Sequence, residues 1–161
     1  MAHQPGYIEG PWKRFEATFT LTVPPGATYT NGPYFPFTIQ PEDVLRFAGG
    51  AMVLGGLDAS GKLQLVTQRV GIQMQSGYFF PLPMYPPTQL QFPADTYADG
   101  AQLILSIPPL EVTGEALGSG GWPNATFQTG VSILNTDSTN SHGFKLTFSL
   151  PYQILSRARA V

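Results

Sequence analysis

Lys13-Arg14-Phe15-Glu16-Ala17-Thr18-Phe19-Thr20-Leu21-Thr22-Val23 is the stretch that decides the fold. Phe15, Ala17, Phe19, Leu21 and Val23 occupy one phase of a two-residue period, and Arg14, Glu16, Thr18, Thr20 and Thr22 the other. Successive side chains of a strand point to opposite faces, so this pattern predicts a long β-strand with one buried and one solvated face. Threonine suits the solvated face because its β-branch favours extended backbone while its hydroxyl stays wet. The pattern returns near the other end, where Phe144, Leu146, Phe148 and Leu150 alternate with Lys145, Thr147 and Ser149. Two such strands from opposite ends of a chain can share one sheet and close a β domain.

Between them, turn chemistry divides the chain into further strands. Pro24-Pro25-Gly26 and Asn31-Gly32-Pro33 are stops, and Tyr34 to Gln40 is a short aromatic strand that Pro36 restricts to an edge or a bulge. Pro41 to Phe47 is the one helical hint, with proline first and acids in the opening turn. Ala51 to Leu57 reads as strand, and Asp58-Ala59-Ser60-Gly61 as a hairpin turn. From Lys62 to Gln75 the apolar phase changes, odd at Leu63 and Leu65 but even at Val70, Ile72 and Met74, as at a β-bulge or a break. Leu103, Leu105 and Ile107, then Phe127, Thr129, Val131 and Ile133, mark two more strands. The expected fold is all-β: a single jelly-roll β-sandwich or barrel of about eight antiparallel strands with long loops, since that two-sheet arrangement limits exposed edges. Residues 1–161 read as one β-barrel domain, with an irregular N-terminal arm at 1–12 and a C-terminal tail at 151–161.

Composition narrows the function. Charged residues are 11% of the chain, against about 25% in ordinary soluble domains. The 18 glycines and 16 prolines make up about a fifth of it, against a usual eighth or so. This composition suits an all-β domain with many turns, and equally a surface covered by neighbours, because interface cores are depleted in Lys, Glu and Asp. The net charge of −2 gives no basic face for nucleic acid. With no cysteine there is neither disulfide nor thiolate chemistry. No apolar run approaches the roughly 20 residues of a spanning helix, and the first residues do not form a signal peptide.

Catalytic and metal signatures are weak. His3 lies in the arm and His142 in the turn Ser141-His142-Gly143, read as solvated, and no Gly-x-Ser-x-Gly elbow accompanies them. Asp95-x-x-x-Asp99 and Asn135-x-Asp137-x-x-Asn140 carry oxygen ligands suited to calcium, but in the residue types of ordinary turns. The expectation is a protein that is not an enzyme and needs no cofactor or metal. Asn124-Ala125-Thr126 matches a glycosylation acceptor.

Two long segments remain, 76–100 and 114–124. Loops of this length are uncommon unless they bind or move. The first contains Tyr78-Phe79-Phe80-Pro81-Leu82-Pro83-Met84-Tyr85-Pro86-Pro87, where proline holds aromatic rings stiffly and lowers the entropic cost of a contact. The alternative is a lid lying over an open end of the barrel. Candidate subunit contacts are Tyr7 and Trp12 in the arm, Tyr78, Phe79, Phe80 and Tyr85 in this segment, and Trp122 in the next.

Matching first and last strands, an N-terminal arm, long loops and few charges resemble a single jelly-roll coat subunit. The chain is most similar to the smaller coat proteins of tailless icosahedral phages with an internal membrane, the sphaerolipovirus-like group from thermophilic bacteria. No signature motif carries this resemblance, so it transfers no site residue. It implies a structural virion protein, assembled in the host cytoplasm into the capsomers of an icosahedral shell. Its partners would be copies of itself, as a dimer or higher, and a second coat protein, with a viral inner membrane nearby. The competing reading is a carbohydrate-binding β-sandwich, a lectin or adhesin tip, stacking sugars on Trp122, Tyr85 and Tyr97.

Overall fold

The two alternating strands pair with each other along their whole length. The computed structural model describes residues 6–58, 60–85, 90–91, 103–118 and 121–157. Its strands in chain order are β1 (Tyr7–Glu9), β2 (Lys13–Val23), β3 (Thr28–Asn31), β4 (Tyr34–Thr38), β5 (Val44–Phe47), β6 (Gly50–Gly56), β7 (Leu63–Met74), β8 (Phe79–Pro81), β9 (Leu90–Gln91), β10 (Leu103–Ile107), β11 (Leu110–Thr113), β12 (Asn124–Asn135) and β13 (His142–Arg157), with one 3-10 turn at Gly114–Leu117. β13 is antiparallel to β2 from His142↔Val23 to Tyr152↔Lys13, then to β1 from Leu155↔Glu9 to Arg157↔Tyr7. Its other edge pairs with β6 and then β5.

Thirteen strand segments reduce to eight rows, because five rows are interrupted: β1 with β2, β3 with β4, β5 with β6, β8 with β9, and β10 with β11. Numbered along the chain, one sheet (sheet A) orders its rows 1-8-3-6 and the other (sheet B) 2-7-4-5. Both contain only antiparallel pairs, and every connection but that between β7 and β8 passes from one sheet to the other. This is the jelly-roll order expected from the sequence. It also corrects the reading of Asp58 to Gly61: that turn carries the chain from sheet A to sheet B and is not a hairpin. Gly and Ser-rich turn sequences are the same in both cases, so only the pairing partners separate them.

Three interruptions in sheet A line up as a crease. Row 1 breaks at Gly10 to Trp12, row 3 at Ala48 and Gly49, and row 6 at Pro108 and Pro109, while β13 runs through with Pro151 in its middle. Proline has no N–H for the ladder. Its neighbours compensate: the N–H of Ala48 donates to Pro151 O at 3.1 Å and that of Gly10 to Ile154 O at 3.0 Å. Gly49 has φ +96°, a conformation that glycine adopts without strain. The phase change read at residues 62–75 is a β-bulge: Ser132 pairs with Thr67 but Ile133 with Leu65, leaving Val66 extra. Leu63, Leu65, Val70, Ile72 and Met74 consequently all face inward.

The core is an aromatic layer between the sheets. Phe15 of β2 stacks on Tyr152 of β13 (centroids 3.9 Å) and on Phe127 of β12 (4.7 Å), and Phe127 meets Phe148 (5.8 Å) and Phe47 (5.9 Å). Each such pair adds about 0.5–1.5 kcal/mol beyond burial. Three boundaries differ from expectation. Tyr7–Glu9 is strand and not irregular arm, because β13 is long enough to offer it an edge. Residues 151–157 are strand and not tail, for the same reason. Pro41 to Phe47 makes a turn, with Gln40 N–H donating to Asp43 Oδ2 at 2.9 Å, and then a strand. Val44, Leu45 and Phe47 pair on both sides, with β13 and β11, and that outweighs a weak helical signal.

Phe127 is 0% exposed and joins the two sheets. Phe127→Ala is expected to cost about 3–5 kcal/mol in urea unfolding; a loss under about 1 kcal/mol would mean this layer is not what binds the sheets.

Candidate contact surfaces

The aromatic residues singled out in the sequence do not form one patch. Tyr7 is half-buried in β1. Trp12, 49% exposed, stands at the crease of sheet A. It borders an apolar cleft of about 490 Å³ with Phe47, Ala48, Pro109 and Leu110. Tyr78, 45% exposed, lies over Gly118, where an added Cβ would come within 3.0 Å of its ring. Trp122 sits at the same end, half-buried on the core, its Nε1–H donating to Gly114 O at 2.9 Å.

Residues 79–85 form a strap from sheet B to sheet A. Phe80 turns inward onto the core with Leu82 and Met84, while Phe79 lies half-buried against Arg69. Tyr85, 60% exposed, exchanges backbone hydrogen bonds with Ser106 beside β10. The alternation of Phe79 and Phe80 follows the strand period of β8, so neighbouring rings part to opposite faces. The strap therefore has a lid's inward side at Phe80, Leu82 and Met84, and leaves Tyr78 and Tyr85 outward. Tyr97, Asp95, Asp99 and His3 lie outside the described residues.

At the crease, Arg46 is buried on the outer side of sheet A. Its Nε donates to Glu111 Oε1 at 3.1 Å, and its Nη1 to Gln153 Oε1 at 3.1 Å and Glu9 Oε1 at 3.5 Å. Gln153 Nε2 donates in turn to Gly10 O at 2.8 Å. Register puts Glu111, Arg46 and Gln153 in one line across three strands. A buried guanidinium needs such partners, since an unpaired charge would be costly.

The opposite end holds a cluster that the sequence did not reveal. His142 is buried at the start of β13, and is not the solvated turn residue expected. Its Nδ1 lies 2.7 Å from Asp58 Oδ2 and its Nε2 2.8 Å from Asp137 Oδ2. Hydrogen bonds to Asp58 and then Asp137 raise the imidazole above its ordinary range, against a smaller opposing effect of burial. The bond to His142 and the backbone N–H groups of Thr139 and Asn140 hold Asp137 far below the carboxylate range. Burial pushes Asp58 up, but its bonds to His142 and Ser60 together bring it below normal. Both ring nitrogens face carboxylates, so the pair favours the protonated ring, in which each N–H donates to one aspartate. Asn135, proposed with Asp137 and Asn140 as a cation loop, instead donates its amide to the carbonyls of Val23, Pro24 and Asn140. These side chains tie three loops together.

Sequence reasoning also passed over Tyr34, at 71% the most exposed of the large apolar side chains described, and Ile104 at 52%. Tyr34, Pro36 and Thr38 alternate with the more buried Phe35 and Phe37, so the strand period already marked Tyr34 as outward.

The cluster around His142 sets a pH dependence. A raised histidine stabilises the fold fully below its ordinary 6.5, and this is lost as pH rises through the folded value. The lowered aspartates stabilise it above their ordinary 3.8, and this is lost as pH falls. Unfolding free energy should peak between about pH 4 and 6.5 and decline on both sides. His142→Asn should flatten the alkaline decline, as read by urea unfolding across that range; a wild-type curve rising from pH 6 upward would contradict these contacts.

No protein-family model matches the chain, and no curated protein matches it. Among solved structures it is similar to infectious bursal disease virus, Gt strain, at 12% identity and TM-score 0.47, over 99% of this chain and 42% of that one. It is similar to the Gx strain at 11% and 0.43, over 89% and 32%, and to the VP2 subviral particle of that virus at 12% and 0.43, over 90% and 38%. A serine protease of Aeromonas sobria is similar at 13% and 0.33, over 98% and 28%. The chain thus spans about a third to two fifths of the length of the viral chains it matches. Likenesses this distant assign neither a family nor a function.

Proposed function

We propose that the chain is a structural coat subunit that assembles with copies of itself. The observation that carries this reading is the cleft at the crease: Trp12 stands half exposed against Ala48, Pro109 and Leu110, in a chain with only 11% charged residues. An exposed tryptophan beside a rigid apolar hollow is the composition of an interface centre. Tyr78 at one end and Tyr85 at an edge of sheet A add further outward rings, which suits a subunit touched from several sides. Identical subunits close a shell when repeated contacts of this kind have rotations that close.

In its finer form the proposal follows the resemblance stated above: a capsomer subunit of a tailless internal-membrane phage, beside a second coat protein and without specific nucleic-acid contacts. Tyr7, Trp12, Tyr78 and Tyr85 are its contact residues; Phe79 is engaged by Arg69, and Phe80 and Trp122 support the surface from beneath.

Sedimentation velocity over a range of concentrations tests the reading. The protein should form dimers or larger species, and Trp12→Ser should weaken association by roughly 30-fold, as for loss of one interface tryptophan. A wild-type protein that stays monomeric at every concentration would overturn it.

A further inference from the structure

The outer face of sheet B carries a depression that assembly through the crease of sheet A leaves untouched. Its floor is backbone. Gly130 of β12 sits opposite Arg69 of β7, and Gly32 lies on the other flank of β12, so two neighbouring positions lack side chains. Gly32 is sterically required, since an added Cβ would fall 1.6 Å from Thr129 O. Gly130 is not: its nearest neighbours to an added Cβ, Arg69 O and Arg69 Cβ, lie at 3.7 and 3.8 Å, ordinary contacts. The hollow of about 430 Å³ is therefore not enforced at Gly130 by packing.

Its walls are those of a polar ligand site. Tyr34 stands at one end, 71% exposed and opposite Gln128. At the other, Thr30 and Ser132 share a hydrogen bond between hydroxyls at 3.1 Å. Arg69 forms the side, its guanidinium carbon 3.5 Å above the centroid of Phe79. Contact with the ring restrains the guanidinium, whose forked N–H groups match a carboxylate. Among the described residues Arg69 pairs with no carboxylate, and no acid lines the hollow.

The geometry points to a binding site for a saccharide that bears a carboxylate. A free aromatic face stacks on the apolar side of a sugar ring. The Gln128 amide at one end and the Thr30 and Ser132 hydroxyls at the other suit sugar hydroxyls, and the guanidinium takes the acid. The volume lies within the range of small-ligand sites. This assignment is independent of the coat reading and holds for a subunit in a shell or alone.

Saturation-transfer NMR with sialyllactose as probe, and lactose and inorganic sulfate as controls, tests it on the full chain. Sialyllactose should bind saturably, with lactose and sulfate each at least about tenfold weaker, since a charge-assisted pair contributes on that scale. Arg69→Gln should abolish the preference for the acidic sugar, and Tyr34→Ala should weaken both sugars. Gly130→Leu should block binding while its urea-unfolding midpoint stays at or above wild type, which separates a filled site from a damaged fold. Absence of saturable binding, equal binding of lactose, sulfate as good as the sugar, or sialyllactose binding undiminished in Gly130→Leu would each overturn the assignment.

Discussion

The double pairing of β13 is the constraint on which the rest of this structure depends. A 16-residue strand exposes many ladder groups on each edge, and a buried unpaired group costs about 1–3 kcal/mol. One edge is satisfied by β2 and β1, the other by β6 and β5, so the last row of the chain lies inside one sheet with the first row beside it at the sheet's edge. Once row 8 sits between rows 1 and 3, the remaining rows have few places to go. Row 6 joins sheet A, and rows 2, 7, 4 and 5 make the facing sheet. The aromatic layer then locks the two together, with Phe15, Phe148 and Tyr152 from one side and Phe35 and Phe127 from the other.

The surfaces follow from the same frame. Proline and glycine aligned across sheet A crease it, and the crease is where Trp12 is displayed and Arg46 is buried among Glu9, Glu111 and Gln153. On sheet B, glycines in the central strand and its neighbour hollow the outer face between Tyr34 and Arg69. The distal loops are held by His142 between Asp58 and Asp137, an ion cluster that spans two connections, and by the Asn135 amide, which ties in a third. With so few charges in the chain, most of those described in ion pairs serve loop and crease fixation, and the remaining surface is hydroxyl, amide and ring.

Much of the architecture was legible because β-period is a local signal. The strands at 13–23 and 144–150, the phase shift between Leu65 and Val70 and the restriction of Pro36 to an edge or bulge were all written in alternation and proline placement. Other features depend on partners far along the chain. Asp58, Asp137 and His142 look like three unrelated turn residues, and only the jelly-roll order brings Asp58 within 3 Å of the ring that Asp137 also holds. Pro41 to Phe47 carries a real helical start signal, overruled because Leu45 and Phe47 complete the core between two strands. The aromatic run at 78–85 read as one surface, yet strand period and a crossing strap divide it between core and solvent. Arg69 stayed hidden because it stands ten residues from Phe79, and only the pairing of β7 with β8 brings its guanidinium over that ring.

Native-state hydrogen exchange tests the central claim most directly. If β13 is the spine, the amides of Phe144 to Ser149, a stretch paired on both sides with β2 and β6, exchange only through global unfolding and are the slowest in the chain. Amides there exchanging as fast as those of β1 or of the 3-10 turn would contradict it, and would place the organising element elsewhere.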